Sequence, residues 1–149
     1  MTVDIKRRGA ARRYTTADMR NWAAELLAAL KQNRAELSIL LVGDKEMRPL
    51  NAKYRDKNET TDVLSFPCDP PVRGRAMVLG DVVISIDQAR RQAGVLNKTL
   101  ESVMATLLIH GVLHLLGYDH ERSQRQARLM KKLEQKLYRG LCEQGFLRV

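Results

Sequence analysis

The stretch His110-Gly111-Val112-Leu113-His114-Leu115-Leu116-Gly117-Tyr118-Asp119-His120 contains all three histidines of the 149-residue chain. A helix capped by Thr99 is predicted to lead into this stretch, because steps of three and four separate Leu100, Val103, Leu107, His110 and His114. On such a helix His110 and His114 leave the same face one turn apart. Gly117 is expected to end the helix, because glycine is common just past a helix C-terminus. The chain can then turn and bring His120 towards the other two histidines.

This spacing predicts a metal centre with His110, His114 and His120 as ligands. Imidazole nitrogens bind zinc at about 2.0–2.1 Å, and two histidines four residues apart on a helix can reach one ion. Three protein ligands leave a fourth position for water, an arrangement typical of catalytic rather than structural zinc. Zinc would lower the pKa of that water towards about 7.

The ligand spacing is similar to that of the metzincin proteases, H-E-x-x-H-x-x-G-x-x-H. Gly111 stands where those enzymes carry the glutamate that acts as general base. The spacing therefore predicts a metzincin-like three-histidine geometry, whereas the missing carboxylate argues against peptide hydrolysis by the usual route.

Composition indicates one small basic domain spanning residues 1–149. Lys and Arg outnumber Asp and Glu by 26 to 17, giving a formal charge of +9. Such an excess favours polyanionic partners, with nucleic acid ranked before an anionic membrane surface. Aromatic residues make up 5% of the chain, so base-specific readout, including sequence-specific DNA binding, is not expected. We expect no membrane association, no secretory signal and a cytoplasmic, reduced-compartment location.

Strand and helix patterns mix without a regular βαβ alternation, which predicts an α+β fold: a small mixed sheet with helices packed on it. Expected strands span 2–6, 38–42, 63–66 and 82–86, and a loop over 67–76 joins the last two. A first helix is expected to begin at a capping box over 15–18. Four further helices are expected over 44–54, 88–92, 99–116 and 123–140. Pro49 is expected in the first turn of the second helix. The last helix is predicted to bury a stripe of leucines at 129, 133, 137 and 141, beside a separate basic stripe of Arg125, Arg128, Lys132, Lys136 and Arg139.

Several other residues are candidates for supporting roles. Asp81 and Asp119 are candidates to orient a metal-binding histidine through a hydrogen bond, although a turn-capping role is an equal alternative for each of them. Tyr118 and Ser65 are expected to be structural, and Cys68 is expected to be an unliganded thiol. The basic stripe and the arginines at 7, 8, 12 and 13 fit phosphate contacts, or form a solvated surface.

Four motifs together resemble the YbeY family, also called the endoribonuclease or rRNA maturation factor family. They are His110-Gly111-x-Leu113-His114-Leu115-x-Gly117-Tyr118-Asp119-His120, Leu50-Asn51-x-x-Tyr54-Arg55, Thr61-Asp62-Val63-Leu64-Ser65-Phe66-Pro67 and Leu79-Gly80-Asp81-Val82-Val83-Ile84. The resemblance covers residues 39–130 in order.

The resemblance implies a metal-dependent, single-strand-specific endoribonuclease of bacterial cytoplasm, with one zinc ion on three histidines plus water. It implies a role in ribosomal RNA maturation, notably at the 3′ end of the small-subunit (16S) RNA, and in ribosome quality control. Ribosomal RNA and the small subunit would be the partners. Arg55 matches an arginine implied to be essential for activity, and an arginine fork can hold two phosphate oxygens. Whether water or the ribose 2′-OH attacks is open.

Two alternatives to a nuclease follow from the same residues. The first is a hydrolase that uses the same metal on another substrate, for which Gly111 disfavours peptides. The second is a ribosome-assembly factor in which the metal is structural and the basic surface binds RNA.

Overall fold

A four-stranded sheet and five α helices form this protein in a computed structural model that describes residues 1–55, 61–68 and 77–148. The strands are β1 (Thr2–Arg7), β2 (Ala35–Val42), β3 (Val63–Pro67) and β4 (Met77–Ser85). The helices are α1 (Ala17–Ala29), α2 (Asp44–Arg55), α3 (Ile86–Leu96), α4 (Leu100–Leu115) and α5 (Gln124–Glu143). Of the predicted loop over 67–76, residues 69–76 lie outside the described residues.

The sheet is mixed, with strand order β1-β2-β4-β3. β1 and β4 both run parallel to the central strand β2, whereas β3 pairs antiparallel with β4 at the edge. The α+β fold with a small mixed sheet is therefore confirmed. Strands β2 and β4 are covered on both faces, because a main core lies on one side and a smaller apolar cluster with α2 on the other.

Helix α4 is the buried helix of the fold. The Thr99 side chain accepts a hydrogen bond from the Ser102 backbone N–H at its N-terminus, as expected of a capping threonine. Most of the side chains that follow are buried in the main core. A helix buried nearly all round holds its few polar side chains in fixed positions, and two of these are His110 and His114.

Gly111 lets α4 approach the sheet closely. A Cβ atom at this position would lie 2.6 Å from Cγ1 of Val82 and 3.3 Å from Oγ of Ser65. The Ser65 hydroxyl donates a hydrogen bond of 3.0 Å to the Gly111 carbonyl across the same contact. The glutamate of the metzincin pattern therefore has no room here, because the sheet occupies the space its side chain would need.

We expect Gly111→Ala to lower the free energy of unfolding by about 1–2 kcal/mol, measured by chemical denaturation. Overpacking against the stiff, fully buried Val82 side chain costs about 1–3 kcal/mol, partly offset by the better helix propensity of alanine. Gly140→Ala is the matched control, since nothing lies within 4 Å of a Cβ on that helical glycine and the variant should be neutral or stabilised. Equal stability of both variants would contradict the close contact.

Three local predictions need correction. Pro49 lies in the second turn of α2, so its missing N–H removes a helical hydrogen bond there; buried Met47 and Asn51 anchor the helix on either side of it. The predicted capping box over 15–18 is wrong, because the residue that precedes α1 is Thr16 and its side chain makes no capping hydrogen bond. Leu129 is 44% exposed, because positions four apart drift by about 40° around a helix, and the three such steps between Leu141 and Leu129 turn Leu129 away from the buried face.

The buried face of α5 is formed by Met130, Leu137 and Leu141, with Leu133 half-buried. The predicted basic stripe of this helix is exposed along its whole length. Within the described ranges, no helix has both the length and the hydropathy needed to cross a bilayer.

Candidate metal centre

The structure brings the three histidines together at one point. The Nε2 atoms of His110 and His114 lie 3.1 Å apart, and potential ligand atoms of His110, His114 and His120 all lie within 4.8 Å of one another. The two ring centroids on α4 are 4.6 Å apart, and that of His120 lies 5.3 and 5.5 Å from them. Three imidazoles thus converge from two different segments of the chain.

The turn after α4 is what brings His120 back. Gly117 has a φ of +98°, a left-handed conformation that glycine adopts without penalty. Its N–H donates to the His114 carbonyl, and the Tyr118 N–H donates to the Leu113 carbonyl, the paired bonds of a Schellman motif. The side chain of Tyr118 packs against the main core, as predicted. The expected helix end at Gly117 is confirmed to within one turn.

The histidines form one wall of an open cleft of about 420 Å³. Arg55, at the C-terminus of α2, lines the same cleft although it lies 55 positions before His110 in sequence. The remaining lining residues come from β3, from the two residues before it and from the turn after α4: Thr61, Asp62, Val63, Ser65, Pro67, Asp119 and Glu121. The site is therefore assembled where α2, β3 and the end of α4 meet.

The electrostatics of the cleft favour a neutral His114. Partial burial lowers the pKa of His114 from its ordinary value, and the neighbouring His110 and His120 lower it further. Arg55 acts in the same direction, whereas Asp119 opposes it. Because a metal ligand must offer an unprotonated nitrogen, these influences prepare His114 to bind a cation at neutral pH.

The geometry and chemistry of this donor set fit a zinc ion. Two nitrogens bound to one tetrahedral zinc at about 2.0–2.1 Å lie roughly 3.3–3.4 Å apart, close to the spacing of the two Nε2 atoms on α4. Among the described residues, the candidate ligand cluster consists of the three histidines. Cys68 is half-buried and lies outside that cluster.

The two predicted supporting aspartates have different positions. Asp119 lines the cleft, and its Oδ1 accepts a 2.9 Å hydrogen bond from the Glu121 backbone N–H, so it shapes the turn that carries His120. Asp81 lies in the middle of β4 rather than at its start, and its side chain is exposed.

The register of the sheet sets the direction of Asp81. Ser65 and Val82 are cross-strand partners, and both side chains contact Gly111 of α4. Asp81 pairs with Phe66, one position along from the Ser65–Val82 pair. Successive side chains of a strand point to opposite faces of the sheet. Asp81 therefore faces away from α4, and the structure argues against its predicted role beside a histidine.

A carboxylate that sequence reasoning missed lies beside one of the histidines. Oε2 of Glu134, on α5, lies 3.2 Å from Nδ1 of His110. A signal for it existed in the sequence: α5 carries six basic residues, and Glu134 is the acid in their midst, with Glu143 at the helix end. An acid four residues after Met130 and four before Tyr138 shares their face of the helix.

A small α+β domain that presents three convergent histidines and an arginine in one open cleft has the arrangement of a metal-dependent hydrolase. A family model described as Endoribonuclease YbeY matches residues 4–141, and the chain belongs to this family.

Curated relatives named Endoribonuclease YbeY support the same assignment. One from Anaeromyxobacter sp. (strain Fw109-5) is 49% identical over 140 residues, covering 94% of this chain and 72% of the relative. Another from Aquifex aeolicus (strain VF5) is 47% identical over 113 residues, covering 76% of this chain and 75% of the relative.

The fold is also similar to a solved structure. The solution structure of TM1509 from Thermotoga maritima matches with a TM-score of 0.64 at 23% identity, covering 99% of this chain and 97% of that chain. At this identity the match supports the fold alone.

Proposed function

We propose that this protein is a cytoplasmic, zinc-dependent endoribonuclease specific for single-stranded RNA. Its substrate would be ribosomal RNA, processed at the 3′ end of the small-subunit RNA, with a further role in ribosome quality control. The observation that carries the proposal is the convergence of His110, His114, His120 and Arg55 on one cleft in a chain of the YbeY family.

The form of the site favours a catalytic rather than a structural metal. Structural zinc is normally enclosed by four protein ligands, whereas the described residues supply three histidines here. The His120 side chain is 46% exposed, and the cluster borders an open cleft. A metal held there would face solvent and substrate.

The histidines and Arg55 would have different roles in phosphodiester cleavage. A zinc ion on the histidines, when bound, would act as a Lewis acid towards phosphate or activate a nucleophile. Arg55 would bind phosphate oxygens and stabilise the charge that develops on them. Gly111 supplies no side chain to serve as a base, so the nucleophile, whether water or ribose 2′-OH, must lose its proton to another group.

RNA binding is expected to depend on the basic surface. The exposed cations Arg125, Arg128, Lys132, Lys136 and Arg139 follow α5, the helix that packs against α4 and contacts His110 through Glu134. Lys and Arg side chains that neutralise phosphates release counterions, which makes binding fall with salt.

We expect the affinity for single-stranded RNA to fall steeply as salt rises, with a log–log slope of about −0.7 per phosphate contact. The double variant Arg128→Gln/Lys132→Gln should reduce the magnitude of this slope by roughly 1.4 if both contact phosphate. Fluorescence anisotropy on a labelled oligonucleotide measures the slope. Lys31→Gln/Arg34→Gln removes the same charge from the loop after α1 and is the control. A slope near zero, or an equal change in both double variants, would argue against α5 as the RNA surface.

The experiment that tests the proposal compares three RNAs under identical conditions. One spans a small-subunit rRNA 3′ end, one is an unrelated single strand, and one is the first RNA annealed to its complement. We expect cleavage of the single strands, loss with chelator, recovery with zinc and protection in the duplex. Equal cleavage of the duplex, or cleavage that survives the chelator, would contradict the proposal.

A further inference from the structure

Glu134 lies on the inward face of α5, a helix that carries six basic residues and one other acid, Glu143 at its end. Met130 and Leu137 beside it are buried in the main core, and the Glu134 side chain itself is 26% exposed. Partial burial of a carboxylate costs solvation free energy unless the group is hydrogen-bonded. The bond to His110 provides that compensation.

His110 uses its two ring nitrogens in opposite directions. Nδ1 lies 3.2 Å from the Glu134 carboxylate, and Nε2 lies 3.1 Å from Nε2 of His114, inside the histidine cluster. An ionised carboxylate only accepts hydrogen bonds, so the proton of a neutral His110 belongs on Nδ1. Nε2 is then left with its lone pair directed to the cluster.

We propose that Glu134 is the positioning residue of the metal centre, fixing the tautomer and ring orientation of His110 for metal binding. Such carboxylate–histidine–metal contacts raise the basicity of the ligand, and their loss typically weakens metal binding 10- to 100-fold. The inference rests on the proposed metal site, and it assigns α5 a role in the site beyond RNA contacts.

A second polar contact between the same two helices supplies the matched control. The hydroxyls of Ser102 and Tyr138 lie 2.6 Å apart, two turns of α4 before His110 and one turn of α5 after Glu134. Tyr138→Phe removes a contact between α4 and α5 without touching a histidine. A purely structural role of Glu134 would make the Glu134 and Tyr138 variants behave alike.

The test measures zinc affinity of the full-length, metal-free protein by competition with a chromophoric chelator. We expect Glu134→Ala to bind zinc at least tenfold more weakly than wild type, Glu134→Gln to lie between them, and Tyr138→Phe to match wild type. Glutamine keeps an oxygen that can accept from Nδ1–H but lacks the charge. Because glutamine preserves the shape of the side chain, the zinc affinity of Glu134→Gln can still be compared with that of wild type if Glu134→Ala fails to fold.

Nitrogen-15 NMR of metal-free protein at pH 8 supplies a second readout, which packing alone would not change. We expect the Nδ1–H tautomer of His110 in wild type and a mixture of tautomers in Glu134→Ala. Zinc affinity of the Glu134 variants within twofold of wild type, no zinc binding by wild type, or an Nε2–H tautomer in wild type would each overturn the inference. Both the zinc-affinity and the NMR measurements are made without RNA. If they give the expected results and the protein nevertheless cleaves no RNA, the proposed function is refuted and the inference about Glu134 stands.

Discussion

The His114→Ala variant is expected to stay folded and to lose RNA cleavage by about 10³-fold or more. Removing one of three ligands weakens metal binding, and a Lewis-acid metal contributes several kcal/mol of transition-state stabilisation. His114 is only partly buried, and alanine is the better helix former, so the free energy of unfolding of the metal-free protein should change by less than about 1 kcal/mol. Cleavage is measured on the single-stranded rRNA 3′-end substrate, and folding by a circular dichroism melt.

Two controls make this result decisive. Wild type and variant are purified in parallel, so that a contaminating nuclease would appear in both preparations. Chelator-treated wild type should match the variant, and added zinc should restore wild type alone. If His114→Ala unfolds instead, the metal is structural and the assembly-factor alternative is favoured. If the variant cleaves normally, the histidine cluster is not part of the reaction.

The convergence of the three histidines could be predicted from sequence because their geometry is local. His110 and His114 are related by one helical turn, and Gly117 is the residue that a reversal after the helix requires. Eleven consecutive residues therefore contain nearly all the information that the cluster needs. Arg55 is different, because nothing local places the end of α2 beside α4; the family resemblance suggested it, and the structure brings it into the cleft.

The failure with Asp81 has an identifiable cause. Val82, Val83 and Ile84 are all buried, because β4 is covered on both faces, and a continuous apolar run carries no alternation to show which face α4 covers. The register with β3 pairs Ser65 with Val82, and this pairing determines which side chains of β4 face α4. Glu134 was missed for a related reason, since its contact with His110 depends on how α5 packs against α4.

Arg55→Ala is expected to keep the fold and the zinc affinity but to lose cleavage by about 10²–10³-fold, the usual cost of removing one donor that stabilises developing charge. Arg55 is exposed at the C-terminus of α2, so its side chain contributes little to packing. Its charge is the smallest of the influences that lower the pKa of His114, so its removal lets that pKa rise slightly towards the ordinary value. The same removal takes away a positive charge that would repel a bound cation, and zinc affinity at neutral pH should therefore stay close to that of wild type. Single-turnover cleavage with saturating enzyme separates the chemical step from RNA affinity.

Arg90→Ala is the matched control, because Arg90 is an exposed arginine on α3 whose loss changes the net charge equally. Its cleavage rate should match wild type. Arg55→Lys tests the form of the contact, since lysine keeps the charge but lacks the planar fork that binds two phosphate oxygens, and it should recover only part of the rate. A single-turnover rate unchanged in Arg55→Ala would remove this residue from the mechanism. An equal loss in Arg90→Ala would show that net charge, and not the position of Arg55 in the cleft, sets the rate.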